Sequence, residues 1–150
     1  MRNGWHTENY TRSLARSLAP RALIGAWVSG KIFSAARADD AKVIATAALD
    51  VSHAGMVNAL AGDTAHTMAK FAANVSNVVR KSIPYNDLSQ DAYHDILVSF
   101  GLPQSFTFVL ADSNAQAKDS ALFDDSHTLS RLIGRPTSPI SGPISDALKG

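Results

Sequence analysis

Apolar residues in this chain recur mostly three or four positions apart, the spacing of one face of an α-helix. The longest such stripe follows Thr67, whose hydroxyl is suited to cap a helix N-terminus. Its members are Met68, Phe71, Ala72, Val75, Val78 and Val79. A complete capping box would need Glu or Gln at position 70, where Lys70 instead places a mildly unfavourable cation. This segment is still the most clearly predicted helix.

Two further helices are predicted after a short extended segment at residues 82–88, where Ile83 precedes a proline. The first begins at Ser89 and ends at Gly101, and the second has Pro103 at its start. Their apolar residues are Tyr93, Ile96, Leu97 and Phe100, then Phe106, Val109 and Leu110. The pattern therefore indicates a pair of helices.

The first part of the chain gives weaker signals. Thr7 is a plausible cap for a helix that passes through Tyr10, Leu14 and Leu18 and breaks at Pro20. Residues 21–34 are apolar and interrupted by glycines, which favours strand-like pieces around a turn with Trp27 packed inside. Residues 53–64 predict a turn, a short strand and a second turn.

Two adjacent carboxylates, Asp39 and Asp40, precede another helical stripe. Its apolar residues are Val43, Ile44, Ala47 and Ala48. Paired carboxylates suggest acid–base chemistry, but adjacent positions on a helix do not face each other. Capping is favoured instead, because the N–H groups and the dipole at a helix N-terminus attract negative charge.

Residues 121–140 predict a turn, a short amphipathic helix and a stop. Asp125 or Ser126 can cap the helix, and its apolar residues are Leu129, Leu132 and Ile133. Gly134 can adopt the left-handed conformation at its end, and Pro136 prevents the helix from resuming. The small-residue tail, 141–150, is predicted to add one helical turn.

Composition narrows the class of protein. The 150 residues suit one domain, and 45% hydrophobic with 18% charged residues is ordinary for a globular protein. With a net charge of +1, nothing favours nucleic acid or an anionic membrane. The densest basic set, Arg12, Arg16 and Arg21, has no interleaved aromatic residues and is interpreted as a solvated helix face.

The absence of cysteine excludes disulfides, thiolate catalysis and cysteine-ligated zinc. The polar start lacks the apolar core of a signal peptide, and no run approaches the ~18 apolar residues of a membrane span. We therefore expect a soluble, cytoplasmic protein.

Common catalytic motifs are not found. The histidines His6, His53, His66, His94 and His127 show no metal-binding spacing, so a metal site is not expected. Neither a Gly-x-Ser-x-Gly elbow nor a Tyr-x-x-x-Lys pair occurs. A glycine-rich loop for a dinucleotide pyrophosphate is also missing. Catalytic residues therefore stay unassigned.

Two segments resemble a known family. Residues 129–140, Leu-Ser-Arg-Leu-Ile-Gly-Arg-Pro-Thr-Ser-Pro-Ile, are similar to the closing signature of the NmrA-like NAD(P)H:quinone oxidoreductases, atypical short-chain dehydrogenases related to triphenylmethane reductases. Residues 2–10 resemble a second signature, Arg-Asn-Gly-Trp-x-Thr-Glu-Asn-Tyr, which in the family passes the nicotinamide and lines the substrate cleft. The resemblance implies cofactor and substrate binding by Asn3, Gly4, Trp5, Asn9 and Tyr10.

The resemblance also implies an α/β fold, the C-terminal portion of an NAD(P)-binding Rossmann-like (NmrA-like) domain, helix-rich with a few short strands. The helices at 89–110 would belong to the lobe that caps the cleft. We expect residues 1–150 to be one partial domain, the substrate-side lobe, without the N-terminal dinucleotide-binding βαβ units. Departures from the family pattern are Asp40 in place of Tyr, and Met56, Asn58 and Ala59 in the predicted strand.

Two functions are compatible with this resemblance. The first is the substrate-side portion of an oxidoreductase that reduces quinones or similar flat acceptors with NADP or NAD as cofactor, inactive alone. The alternative is an NmrA-type regulator that senses dinucleotide without turnover, or a nonfunctional gene remnant. The two signatures favour the enzyme.

Truncation has a physical consequence. Removing the central strands of a doubly wound sheet leaves an unpaired edge and uncovered apolar surface. The isolated chain is therefore predicted to be marginal, partly molten or dependent on a partner. That partner would be a complementing N-terminal piece or, in a homo-oligomer, a second copy.

Overall fold

The computed structural model describes residues 1–12, 14, 22–27, 30–117 and 122–149. Within these ranges the strands are β1 (Arg2–Asn3), β2 (Leu23–Gly25), β3 (Ala59–Leu60) and β4 (Tyr85–Asp87). The helices are α1 (Glu8–Thr11), α2 (Arg37–Leu49), α3 (Met68–Val79), α4 (Gln90–Ser99), α5 (Gln104–Ala117), α6 (Thr128–Ile133) and α7 (Ser141–Lys149), with a 3₁₀ turn at Val51–His53. The expectations for Arg16, Leu18, Pro20 and Arg21 lie outside the described residues.

The described strands form two parallel pairs, β1 with β3 and β2 with β4. Asn3 is aligned with Leu60 in the first pair, and Gly25 with Asp87 in the second. Parallel strands need a long crossover, and α2 and α3 lie within these connections. The strands β2, β3 and β4 fall where strand or extended structure was predicted, whereas β1 was not predicted.

The main core forms around α3. The buried residues of its stripe are Met68, Phe71, Ala72 and Val75. Val79 packs against this core, whereas Val78 is 37% exposed at the edge of the stripe. Trp27 is buried in the same core, as predicted, and its indole N–H donates to the side-chain oxygen of Asn114.

A second, smaller core joins β3 to α2 and α6. Its buried members are Ala35, Val43, Leu60, Leu129 and Ile133, and Leu132 packs against them. The apolar residues predicted for α6 therefore face α2 and β3. This packing brings the segment after α6 close to the N-terminus of α2.

Three predicted helix ends are confirmed. Thr67 accepts the backbone N–H of Lys70, and Ser89 accepts that of Ala92, each at 3.2 Å. Gly134 ends α6 with φ 72°, a conformation that a residue with a Cβ rarely adopts. Each of these signals acts within one turn of its own helix.

The predicted cap at Thr7 is wrong. Thr7 precedes α1 but makes no side-chain cap bond to it. Its buried hydroxyl lies 2.9 Å from the hydroxyl of Ser34 instead. The Thr7 hydroxyl therefore makes a tertiary contact with Ser34 instead of capping the helix.

The predicted capping role of Asp39 and Asp40 is also wrong. Both lie in the first turn of α2, after Ala36 at the cap position, and they make no cap bond there. The carboxylate of Glu8 accepts the backbone N–H of Arg37 instead, at 3.0 and 3.1 Å from its two oxygens. The two aspartates, which are buried, are directed to other segments.

The N-terminus of α6 differs from its prediction. His127, rather than Asp125 or Ser126, occupies the cap position with φ 53° and makes no side-chain cap bond. The hydroxyl of Ser126 still accepts the N–H of Thr128 at 3.3 Å. The local turn at residues 124–128 therefore shifts the helix start by one residue.

The C-terminal tail forms the nine-residue helix α7 rather than a single turn. Ile144 is fully buried, and Ile140 and Leu148 pack against the main core. These three residues recur every four positions, which is a helical spacing that the sequence already shows. Burial of this stripe explains why the helix is longer than predicted.

Candidate functional site

The residues that follow β1 and β3 are joined through the backbone. Gly4 donates its N–H to the carbonyl of Leu60 at 2.8 Å, and a Cβ on Gly4 would lie 2.6 Å from that oxygen. Gly62 approaches Ser34 more closely still, since a Cβ there would lie 2.2 Å from the Ser34 carbonyl oxygen. Only glycine fits at these two positions without a backbone shift.

A third segment completes this region. Ala35 donates its N–H to the carbonyl of Trp5 at 3.1 Å, and Thr7 donates to the carbonyl of Ala35 at 2.9 Å. Three backbone segments thus meet where two parallel strands end, which is where ligand sites form in open α/β sheets. We call residues 3–7, 32–35 and 60–62 the carboxyl edge.

Trp5 connects the carboxyl edge to a group of rings. The aromatic cluster consists of Trp5, Tyr10, Trp27, His66 and Phe71. The Tyr10 centroid lies 6.2 Å from Trp5, 5.4 Å from Trp27, 5.4 Å from Phe71 and 6.5 Å from His66. Tilted and edge-on contacts of this kind are favourable for aromatic rings. The cluster therefore supplies a packed, largely apolar wall beside the edge.

Burial governs the titration of two cluster members. It raises the pKa of Tyr10 well above its ordinary value, and the phenol of Tyr93 adds to this. It lowers the pKa of His66 to about 4, and a hydrogen bond with the Thr64 backbone opposes this only in part. Since neither group changes its charge near neutral pH, these two rings act as a wall rather than as an acid or base.

The five predicted binding residues fall into two groups. Trp5 and Tyr10 lie together in the aromatic cluster, and Gly4 adjoins them in the carboxyl edge. Asn3 and Asn9 are exposed and are not members of the cluster. The binding role of all five residues stays a prediction.

His6 of the carboxyl edge forms a pair with Asp40 of α2 that was not predicted. His6 Nε2 lies 2.7 Å from Asp40 Oδ2, with 23% of the His6 side chain and 2% of the Asp40 side chain exposed. Burial raises the pKa of Asp40, and the His6 imidazole opposes this shift, while Asp39 and Glu8 reinforce it. The two residues are far apart in the chain, so no local pattern could have paired them.

The closing signature is bound by two carboxylates, the first of which is Asp39. It accepts hydrogen bonds from Arg135 Nη2 at 2.6 Å, from the Ser138 N–H at 2.7 Å and from the Ser138 hydroxyl at 3.2 Å. Asp39 is fully buried, so these charge-assisted bonds satisfy a carboxylate that water cannot reach.

The second carboxylate, that of Asp63, binds the same segment at Thr137. It accepts the N–H of Thr137 at 2.8 Å and lies 3.0 Å from His127 Nδ1. Partial burial alone would raise the pKa of Asp63, but hydrogen bonds from Ser130 and Thr137 outweigh it and lower the pKa to about 2. Asp63 is therefore ionised at neutral pH. We call Asp39, Asp63 and residues 135–138 the closing clamp.

The described residues contain neither a metal-binding cluster nor a membrane-spanning helix. No three His, Cys, Asp or Glu side chains among the described residues could together hold a metal ion. No helix in these ranges is both long and apolar enough to cross a bilayer. The candidate site therefore consists of the carboxyl edge, the aromatic cluster and the His6–Asp40 pair.

Comparison with known proteins shows what this chain is similar to. It is 42% identical over 145 residues to quinone oxidoreductase 2 of Escherichia coli strain K12, a match that covers 97% of this chain and 51% of that protein. The crystal structure of that NADPH-dependent enzyme matches with a TM-score of 0.93 and 41% identity, covering 97% of this chain and 53% of that one. The chain corresponds to the C-terminal part of an NmrA-like reductase.

A second reductase gives the same result. Triphenylmethane reductase of Citrobacter sp. matches with a TM-score of 0.93 and 25% identity, covering 99% of this chain and 52% of that one. The chain spans about half the length of the relatives it matches. No protein-family model matches it.

These matches confirm the family resemblance and the predicted fold class, helix-rich α/β with few short strands. In this chain, the signature at residues 2–10 forms part of the carboxyl edge and of the aromatic cluster. The closing signature forms the closing clamp, and its hydrogen-bonding groups bind other parts of the same chain.

Proposed function

We propose that this chain forms the acceptor side of an NAD(P)H-dependent oxidoreductase that reduces quinones or similar flat acceptors. The observation that carries the proposal is the 42% identity over 97% of the chain with an E. coli quinone oxidoreductase. The geometry supports it, because Trp5 is only half-buried and a flat ligand can stack on an exposed part of an aromatic ring.

The residues present fit one end of a nicotinamide dinucleotide. A planar ring suits this place. It can lie at the carboxyl ends of the parallel strands, where the backbone approaches closely at Gly4 and the aromatic wall stands beside it. None of the 150 residues supplies a glycine-rich loop, so the phosphates have no cradle here. We therefore propose that NADP or NAD is held jointly with a nucleotide-binding half that lies outside residues 1–150.

Within the described residues, one side of β1 pairs with no strand, and this supports the need for that half. Arg2 and Gly4 donate their N–H groups to the carbonyls of Asn58 and Leu60, toward β3. Because a parallel strand alternates the direction of its peptide groups, those of Asn3 point away from β3. An edge of this kind is normally paired or covered, and a further strand of the nucleotide-binding half would pair with it.

Exposed apolar side chains support the same conclusion. Leu49 and Val51 are each 89% exposed, and Met56 is 55% exposed. Together with Met1 they line a groove of about 530 Å³. Exposed apolar surface of this kind is typical of a site that another protein segment or chain covers. We therefore propose that the chain is marginal and inactive by itself.

NADPH consumption with a simple benzoquinone tests the proposed function. The chain is assayed alone and together with the N-terminal half of E. coli quinone oxidoreductase 2, a combination that we call the complemented protein. We expect turnover from the complemented protein and none from either half alone.

Each other result has a definite meaning. Turnover by the chain alone would contradict its dependence on a nucleotide-binding half. NADPH binding without turnover in the complemented protein would favour a dinucleotide-sensing regulator. A complemented protein that neither binds nor turns over NADPH would favour a nonfunctional remnant.

A further inference from the structure

The His6–Asp40 pair differs from the other histidine–aspartate contacts in the described residues. Asp40 is almost fully buried, and neither of its carboxylate oxygens makes a hydrogen bond of good geometry within the described part of the chain. Its Oδ2 faces His6 Nε2 at 2.7 Å, whereas His94 contacts Asp95, which is 81% exposed, at 3.2 Å. A buried carboxylate with one imidazole partner fixes the orientation of that ring and leaves Nδ1 for a second partner.

The position of His6 connects the pair with the candidate site. His6 directly follows Trp5 in the carboxyl edge, and its backbone forms a bridge with Ala35. With 23% of its side chain exposed, the ring is held but can still be reached from solvent.

Quinone reduction requires a proton that hydride transfer does not supply. A hydride from reduced nicotinamide brings two electrons and one hydrogen, which converts a quinone to a hydroquinone monoanion. One further proton on oxygen completes the hydroquinone. The sequence has no Tyr-x-x-x-Lys pair to provide this proton. His66 has no spare proton at neutral pH, because burial lowers its pKa to about 4, and burial makes Tyr10 a weaker acid than an ordinary tyrosine by raising its pKa.

We infer that His6, oriented by Asp40, donates this proton to the oxygen of the reduced acceptor. The inference rests on the proposed function. The Nδ1–H bond of the protonated imidazole breaks as the acceptor O–H bond forms, and the neutral ring then takes a proton from water. The Asp40 carboxylate, 2.7 Å from Nε2, orients the ring and balances its charge, so it is a positioning residue.

Chemical modification tests whether His6 can be reached, independently of turnover. Diethyl pyrocarbonate acylates accessible imidazole nitrogens, and mass spectrometry locates the modified histidines. We expect His6 in the complemented protein to react about as fast as His94, which has a similar exposed fraction of 22%, and much faster than the buried His66. Protection of His6 to the level of His66 would overturn the inference.

The choice of acceptor separates a proton donor from a structural residue. A triphenylmethane dye cation takes up hydride alone to give a neutral product, so it needs no proton. We expect His6→Gln in the complemented protein to lower kcat with benzoquinone about 100-fold, a typical contribution of a general acid, and to lower dye reduction far less. Asp40→Asn should show the same selectivity with a smaller loss.

His94→Gln is the matched control and should leave the kinetics with both acceptors unchanged. Equal losses with both acceptors after His6→Gln would show a structural role and overturn the inference, as would an unchanged quinone rate. Failure of the unsubstituted complemented protein to reduce either acceptor would remove the proposed function and this inference together. Melting curves of each variant establish that it is folded.

Discussion

The closing clamp contains residues of the signature at 129–140, and the carboxyl edge contains residues of the signature at 2–10, yet the two signatures use their side chains differently. In the clamp, buried Asp39 and partly buried Asp63 accept hydrogen bonds from residues 135–138. At the carboxyl edge, Asn3 is exposed, and part of the His6 side chain can still be reached from solvent. One segment holds parts of the chain together, and the other presents groups to its surroundings.

Because of this difference, we expect substitutions in the clamp to affect stability and substitutions of polar side chains at the carboxyl edge to affect activity. The clamp joins residues distant in sequence, so its loss should destabilise the protein before it affects any chemistry. The exposed polar side chains of the carboxyl edge can meet a ligand, so their substitution should affect activity with little change in stability. Substitutions in each region can test this division, and all of them are measured in the complemented protein.

The largest effect is expected from Asp39→Ala. The substitution removes the hydrogen bonds that Arg135 and Ser138 donate to a buried carboxylate, and the loss of these charge-assisted bonds should cost about 3–4 kcal/mol. Urea unfolding measures the change. Asp146→Ala, which removes an exposed aspartate 3.9 Å from Lys149, is the control and should cost less than about 0.5 kcal/mol. Similar losses for the two variants would refute the clamp.

The aromatic cluster beside the carboxyl edge should confer acid sensitivity. The folded protein protonates His66 only near pH 4, whereas an unfolded histidine does so near its ordinary value of 6.5. Between these values the unfolded state binds more protons, so stability is present at neutral pH and falls as the pH is lowered. The loss approaches about 3 kcal/mol at pH 4. Urea unfolding across this range should show the slope in the wild type but not in His66→Phe.

A smaller effect is expected where backbones touch in the carboxyl edge. Gly62→Ala places a Cβ 2.2 Å from the carbonyl oxygen of Ser34, and the resulting strain should cost about 2 kcal/mol. Gly142→Ala is the matched control, because a Cβ there meets nothing within 4 Å and alanine favours helix α7 by about 0.5–1 kcal/mol. Thermal melting that ranks the two variants the other way would show that the edge is not tightly packed.

The smallest stability change is expected from Asn3→Ala. Asn3 is exposed, so its truncation should alter the free energy of unfolding by less than about 0.5 kcal/mol. If Asn3 binds the cofactor or acceptor as predicted, the KM for one of them should rise. Unchanged steady-state kinetics would remove Asn3 from the binding residues and weaken the contrast between the two regions.

Local signals were sufficient to predict much of the secondary structure. The stripe of α3 and the caps at Thr67 and Ser89 depend on residues within one turn of each other. The clamp could not be predicted in this way. Asp39 was assigned to its own helix N-terminus, but its partner Arg135 is 96 positions away, and Thr137 is 74 positions from Asp63. Asp39 therefore binds a distant segment, although a local rule predicted that it would cap its own helix.

The candidate site was only partly predictable. The family resemblance pointed to Gly4, Trp5 and Tyr10, which the structure brings close together. Periodicity and capping rules contain no information about His6 and Asp40, because two chain segments that meet only in the folded protein create that pair.

The most direct test of the central claim is the guanidinium unfolding of the isolated chain, combined with a titration by NADPH. If residues 1–150 are the acceptor side of a reductase that needs a separate nucleotide-binding half, unfolding should be broad and NADPH should not shift it. Adding the N-terminal half should restore a sharp transition that NADPH stabilises. One sharp, cooperative transition of the isolated monomer at micromolar concentration, stabilised by NADPH without the other half, would contradict the account.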